Sequence, residues 1–227
     1  IADLALFEGS KPGTRAYFPV LSVAVLGLGC HQEHPHLLAL FAAAWVLAGL
    51  VRWWVPRQAI ARRLENPELW RRRFRLSILP TAAVWGLFSM IVMLLYGIGW
   101  RAVICIFVAG GLTTGATAAF NLDRRLHRNY VLLAWLPLLT GQFFQIGKVG
   151  GAVPLLIITA FFMLYLLRLG REQGDRYWQG LRDRLFITQL AEFTTSLVPL
   201  VNAEELPEKL EEALEPLINF ERSWISR

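Results

Sequence analysis

Charge is what the middle of this chain has least of. Between Ser77 and Leu167 the only charged residues are Arg101, Asp123, Arg124, Arg125, Arg128 and Lys148, and all six are expected in loops. A solvent that cannot hydrogen-bond penalises every unsatisfied polar group heavily, so this partition is the one a bilayer selects. It also leaves no Asp, Glu, Lys or Arg inside the apolar runs to couple to ions, which weakens a transporter or channel reading.

Cysteine is nearly absent. Cys30 and Cys105 sit in different segments, so no disulfide framework is expected. There is no C-x-x-C-H for a c-type haem and no facing pair of histidines inside the apolar runs for a b-type haem. Besides the cluster near residue 31 the chain has only His127, too few for the several histidine boxes of a membrane desaturase. No catalytic residue and no cofactor are expected. No cleavable leader is read, and a start at Ile1 is expected to leave preceding residues out.

What the chain has is apolar length. A mean hydropathy of +0.43 is too high for an ordinary soluble domain. Six apolar stretches are read as helices: Ala16–Gly29, Leu37–Val55, Leu76–Gly97, Ala102–Leu122, Tyr130–Ile146 and Ala152–Leu169. A helix needs roughly 20 residues to cross the hydrocarbon, so the first and fifth are short. The stretches lack the alternation of a transmembrane barrel. The expected fold is an all-α integral membrane protein. Residues 1–15 form an N-terminal segment, 16–170 a six-helix bundle, 171–201 a signalling helix and 202–227 the start of a truncated domain.

Lys and Arg orient this bundle. Eighteen of them fall at Lys11 and Arg15 and after the second, fourth and sixth stretches, against two, Arg101 and Lys148, on the other side. The asymmetry predicts both termini in the cytoplasm. It also accounts for the net charge of +6 and pI near 9.8 without nucleic acid as a partner. Trp53, Trp54, Trp70, Trp100 and Trp178 lie near predicted span ends, where indoles favour the headgroup region. Between the second and third spans, Pro56 to Phe74 spaces apolar groups at three to four residues, as in an amphipathic helix lying on the inner surface with its arginines toward anionic lipid.

Beyond the sixth stretch no proline interrupts Arg171–Arg184, so one helix is expected to leave the membrane. Phe186, Leu190, Phe193, Leu197 and Leu200 then fall at spacings of four, three, four and three, a two-heptad seam suited to a homodimeric coil; a packed helix in a monomer is the plain alternative. Asn202 with Glu205 resembles a capping box opening a further helix, and Phe220–Ile225 alternates like the start of a strand.

Two candidate sites follow. Thr113, Thr114 and Thr117 on the fourth span, Gln142 and Gln145 on the fifth and Trp85 and Ser89 on the third could line a cavity for a small apolar or amphipathic signal. Gly111 and Gly115 on the same fourth span form a G-x-x-x-G face, whose ordinary use is tight helix packing. Pro80 and Pro137 are expected kinks. The second candidate is Cys30, His31, His34 and His36 in an outward loop, which could hold zinc or copper; a polar loop without metal is the plainer reading. Asp123 and His127 are a helical turn apart and read as a solvated pair.

Several of these segments carry a resemblance. Trp85–Gly86, the run Ala109 to Ala116, Leu136–Pro137 and the run Arg168 to Gln173 resemble the N-terminal membrane sensor regions of bacterial histidine kinases and diguanylate cyclases, over about residues 40 to 185. Asn202 to Leu206 and Phe220 to Arg222 are similar to the opening of a GAF domain, over about 25 residues. The resemblance implies a homodimeric two-component or cyclic-di-GMP receptor in the bacterial inner membrane, with a cytoplasmic output domain in the same polypeptide. A histidine kinase is the first expectation for that parent and a diguanylate cyclase the second. The chain has no nucleotide-binding glycine box, phosphoacceptor-histidine signature or GGDEF motif of its own. A sensory input module is the favoured function. A small transporter or channel, or a plain membrane anchor, is the alternative.

Overall fold

A computed structural model describes residue 22, residues 26–60 and residues 66–197. Every regular element among them is helical: α1 (Cys30–Glu33), α2 (Pro35–Ile60), α3 (Pro67–Tyr96), α4 (Trp100–Phe120), α5 (Arg124–Phe143) and α6 (Ala152–Leu197). The chain divides into two units, Ile1–Gly174 and Asp175–Arg227. The first holds the bundle. The described part of the second is the end of α6.

Local chemistry sets the helix ends. Asn66 caps α3, its side chain accepting from the Leu69 amide at 3.0 Å, and Pro67 follows where its missing N–H costs nothing. Gly97 stops α3 at φ 70°, a left-handed conformation that glycine adopts without a steric cost, and its amide donates to the Met93 carbonyl at 2.9 Å. Asp123 caps α5 by accepting from the Arg125 and Leu126 amides at 3.1 and 3.0 Å. The links from α3 to α4 and from α4 to α5 are short, which makes these helices antiparallel neighbours.

Helix α3 packs on α2, α4 and α5, and its most extensive contact is with α5. Aromatic rings fill the α2–α3 seam: Phe41 stacks on Phe88 at 3.8 Å, and Trp45 meets Trp85 edge to face at 6.1 Å. Glycines set the α3–α5 approach. A Cβ on Gly86 would collide with the Leu133 carbonyl oxygen, and one on Gly141 would lie 3.1 Å from Met90 Cα. The outer faces carry Leu40, Leu47, Leu87, Phe107, Ile158 and Phe161, all exposed. Apolar exposure on this scale suits lipid and would be a liability in water.

Among the described residues four segments are long and apolar enough to cross a membrane: Pro35–Val55, Pro67–Tyr96, Trp100–Phe120 and Ala152–Glu192. Helix α5, the expected fifth span, falls short because its first turns carry Arg124, Arg125, His127 and Arg128. It starts six residues ahead of the expected Tyr130, and its buried face lies against α3 and α4. Of the expected first span, Ala16–Gly29, only residues 22 and 26–29 are described; Leu200, the Asn202 capping box and the strand at Phe220–Ile225 lie outside the described residues.

Several expectations are corrected. Arg101 and the arginines 124, 125 and 128 are on helices, not in loops. Residues Pro56 to Phe74 are not one surface helix: α2 runs on to Ile60, and a new helix starts at the Asn66 cap. Trp70 is no headgroup anchor; it is buried and stacks on Phe74 at 5.0 Å. Pro80 and Pro137, the expected kink positions, do lie inside α3 and α5, and Pro137 Cγ comes within 3.1 Å of where a Gly86 Cβ would be. The G-x-x-x-G face at Gly111 and Gly115 makes no close packing contact among the described residues, because a Cβ at either meets open space. The close approaches are at Gly86, Gly141, Gly170 and Gly174, where a neighbouring helix supplies backbone or a ring.

Candidate functional site

Six of the seven expected cavity residues are buried in the bundle: Trp85, Ser89, Thr113, Thr117, Gln142 and Gln145. Thr114 is exposed, because one residue along a helix turns the side chain by about 100° from Thr113 and takes it off the buried face. The threonines do not stand open toward a ligand. Thr113 Oγ1 donates to the Ala109 carbonyl at 2.6 Å and accepts from Trp135 Nε1 at 3.1 Å. Thr117 Oγ1 lies 2.8 Å from the Thr113 carbonyl and 2.9 Å from His127 Nε2. The glutamines tie helices together: Gln142 Nε2 donates to Thr159 Oγ1 on α6 at 3.1 Å, and Gln145 Nε2 to the Met93 carbonyl at 2.8 Å.

Three atoms of this set have no hydrogen-bond partner while fully buried: Trp85 Nε1, Ser89 Oγ and Gln142 Oε1. An unpartnered buried polar atom costs roughly 1–3 kcal/mol, so it marks where a water or ligand group would be gained. Trp85 and Ser89 are four residues apart, on one face of α3.

Among the described residues five buried polar side chains lie outside the expected set, Ser77, Thr81, Thr159, Arg52 and His127, and the last two are basic. Arg52, the first of the arginines expected in the loop after the second stretch, is instead within α2 and buried, with NH1 donating to Thr81 Oγ1 at 3.3 Å and its guanidinium 5.8 Å from the Phe120 ring centre. The apolar segment Pro35–Val55 therefore holds a buried cation. His127 is no solvated partner of Asp123. Asp123 is the α5 cap and is also ion-paired with Arg75 at 2.6 Å, while His127 is buried against Thr117. The three-residue lag from Asp123 to the first inward position of α5 was the available signal, and it reads as a capped helix start.

The His127 imidazole meets α6 directly, since a Cβ on Gly170 would overlap its ring. One turn on, a Cβ on Gly174 would lie 2.6 Å from the Asn121 carbonyl oxygen. Gly170 and Gly174 are spaced as G-x-x-x-G, and here the motif does bring helices together. Burial pushes the His127 pKa down. The native state therefore holds the neutral ring, while the unfolded chain takes up a proton below about 6.5. Stability from this site is full above that pH and falls as pH drops toward the lowered native value. Thermal unfolding in detergent between pH 7.5 and 5 should show this loss, and His127→Gln should flatten it.

At the other end, Arg101 makes two hydrogen bonds to Glu33, at 2.7 and 3.3 Å, and stacks 3.8 Å from the Tyr96 ring centre. The Arg101 hydrogen bond holds the Glu33 carboxyl below the usual carboxylate range. Cys30 to Glu33 is thus a helical turn and not an open loop, with its acid engaged. His34 is exposed beside Tyr96, at 5.8 Å between rings, and His36 is exposed; the side chains of Cys30 and His31 lie outside the described set. Among the described residues no three of His, Cys, Asp and Glu gather as a metal site.

In α6, Phe186 and Leu190 of the expected seam are exposed, with Ile187 beside them; the side chains of Phe193 and Leu197 lie outside the described set. No family model, curated protein or solved structure matches this chain.

Proposed function

We propose that this chain is the membrane input module of a bacterial signal-transduction receptor. In this reading six helices sit in the inner membrane with both termini cytoplasmic, and the module acts as a homodimer. It detects a small apolar or amphipathic molecule and passes the change along α6 to a cytoplasmic output domain, of histidine kinase type first and diguanylate cyclase type second. The observation that carries the reading is α6 itself: one helix, Ala152–Leu197, contacts the buried polar network through Gly170 and Gln142's partner Thr159, and bears an exposed apolar seam at Phe186 and Leu190. A helix of 46 residues is more than twice what a span requires. The unpartnered atoms of Trp85, Ser89 and Gln142 supply polar contacts for a ligand. Binding there would shift α6 between two positions only if the ligand bound one position better.

Native mass spectrometry of the chain in mild detergent tests this. The expected result is a dimer with a discrete added mass. Leu190→Lys should give monomers that keep the mass, and Ser89→Ala should give dimers that lose it. A bare wild-type monomer would defeat both the seam and the pocket and leave an anchor. Buried Arg52 favours the second reading, a transporter or channel, since intramembrane cations mark ion paths. Ion flux into liposomes, abolished by Arg52→Met, would establish that alternative.

A further inference from the structure

The arginine-rich end of the bundle contains a cleft of about 490 Å³ between the first turns of α5 and the middle of α6. That is within the roughly 300–1,000 Å³ typical of small-molecule sites. Arg124, Arg125 and Arg128 line it from α5, and Arg168 and Arg171 from α6. His127, Leu167 and Gly170 complete the wall, and none of the lining residues is acidic. Asp123, the acid at the head of α5, is already engaged by two backbone amides and Arg75. Glu172 pairs with Arg168 at 2.7 Å, while Arg128 and Arg171 are exposed on the two walls.

Five guanidinium groups converging on one concave site with no carboxylate in its wall raise the local positive potential, which an entering anion lowers. Guanidinium groups present paired donors that match phosphate oxygens two at a time. The N-terminus of α5 adds the positive end of its dipole to the same place. An arginine scatter that only satisfied a charged membrane surface would not need to converge from two helices on one cavity.

We propose that this cleft binds a phosphate-bearing anion, clamped between α5 and α6 by Arg128 and Arg171. The phosphate comes either from a phospholipid headgroup, beside Leu167 at the edge of the apolar surface, or from a free phosphate compound in water. The occupant bridges the helix that holds His127 to the helix that holds Gly170, so it would favour one seating of α6. The proposal does not depend on what lies downstream of α6.

The test uses the full chain in mild detergent. Native mass spectrometry would compare retention of added phosphatidylglycerol with that of phosphatidylcholine, and a parallel titration would use inorganic phosphate with thermal unfolding as readout. Wild type should retain the anionic lipid at least ~10-fold better than the zwitterionic one. Arg128→Gln with Arg171→Gln should erase that preference, whereas Arg176→Gln with Arg184→Gln, the same change in charge elsewhere on α6, should keep it. All four arginines are exposed, so folding should survive, and circular dichroism checks that. Stabilisation by phosphate, lost in the first double variant and kept in the second, with no lipid preference, would assign the free compound. Equal retention of both lipids with no phosphate effect would overturn the proposal. So would equal losses in the two double variants, which would mean only a general positive field.

Discussion

Gly86→Ala should unfold the bundle, or come close to it. The added methyl has nowhere to go: it overlaps the Leu133 carbonyl oxygen and falls 3.0 Å from that of Ala134 and 3.1 Å from Pro137 Cγ. All three belong to α5, and two are backbone atoms that no rotamer change can move. Helix α3 would have to back away from α5 along its most extensive contact. Overpacking usually costs about 1–3 kcal/mol, and a clash with helix backbone belongs at or above the top of that range. Gly111→Ala is the control. Its methyl meets open space, so its effect should be within about 0.5 kcal/mol of zero. The near-UV circular dichroism of the buried tryptophans, followed through a titration with a denaturing detergent, would separate the two. Equal sensitivity at Gly86 and Gly111 would mean that the α3–α5 seam is wrongly assigned.

Gly170→Ala should be the second severe change, with a diagnostic rescue. Its methyl would overlap the His127 ring, which is fixed by burial and by contact with Thr117 Oγ1. Removing the ring with His127→Ala leaves a cavity and costs on the order of 2 kcal/mol. It leaves no orphaned hydroxyl, because Thr117 Oγ1 still donates to the Thr113 carbonyl. In the double variant the methyl occupies part of the vacated space. The two changes should therefore be less harmful together than their sum, by at least ~1 kcal/mol in a double-mutant cycle. Strict additivity would show that α6 does not seat on His127. If α6 does carry a signal, the same cycle read at the output should show the same coupling.

Some of this was legible before any coordinates. The helical class follows from long apolar runs without alternation, and the end of α3 from Gly97, because these are local effects of hydropathy and backbone freedom. The caps at Asn66 and Asp123 are local signals too, but the expected helices run through the first and begin only at Tyr130, beyond the second. Six of seven expected polar residues proved buried for a similar reason: a lone hydroxyl or amide in an apolar run is driven inward.

The faces were not legible. In a water-soluble helix the apolar stripe points to the core, but α2 and α4 are apolar on every side, so no stripe tells neighbour from solvent. Only the packing of one helix on another decided that Thr113 turns in and Thr114 out, and that Gly86 and Gly170 are contacts while Gly111 and Gly115 are not. Arg52 and His127 were misplaced because a basic residue near the end of an apolar run reads as a loop residue until a partner, Thr81 or Thr117, comes from another helix. By itself the sequence determined that the chain forms long apolar helices and that α3 stops at Gly97, since both depend on neighbours along the chain. The tertiary structure alone decided which atoms are enclosed, because that depends on neighbours in space.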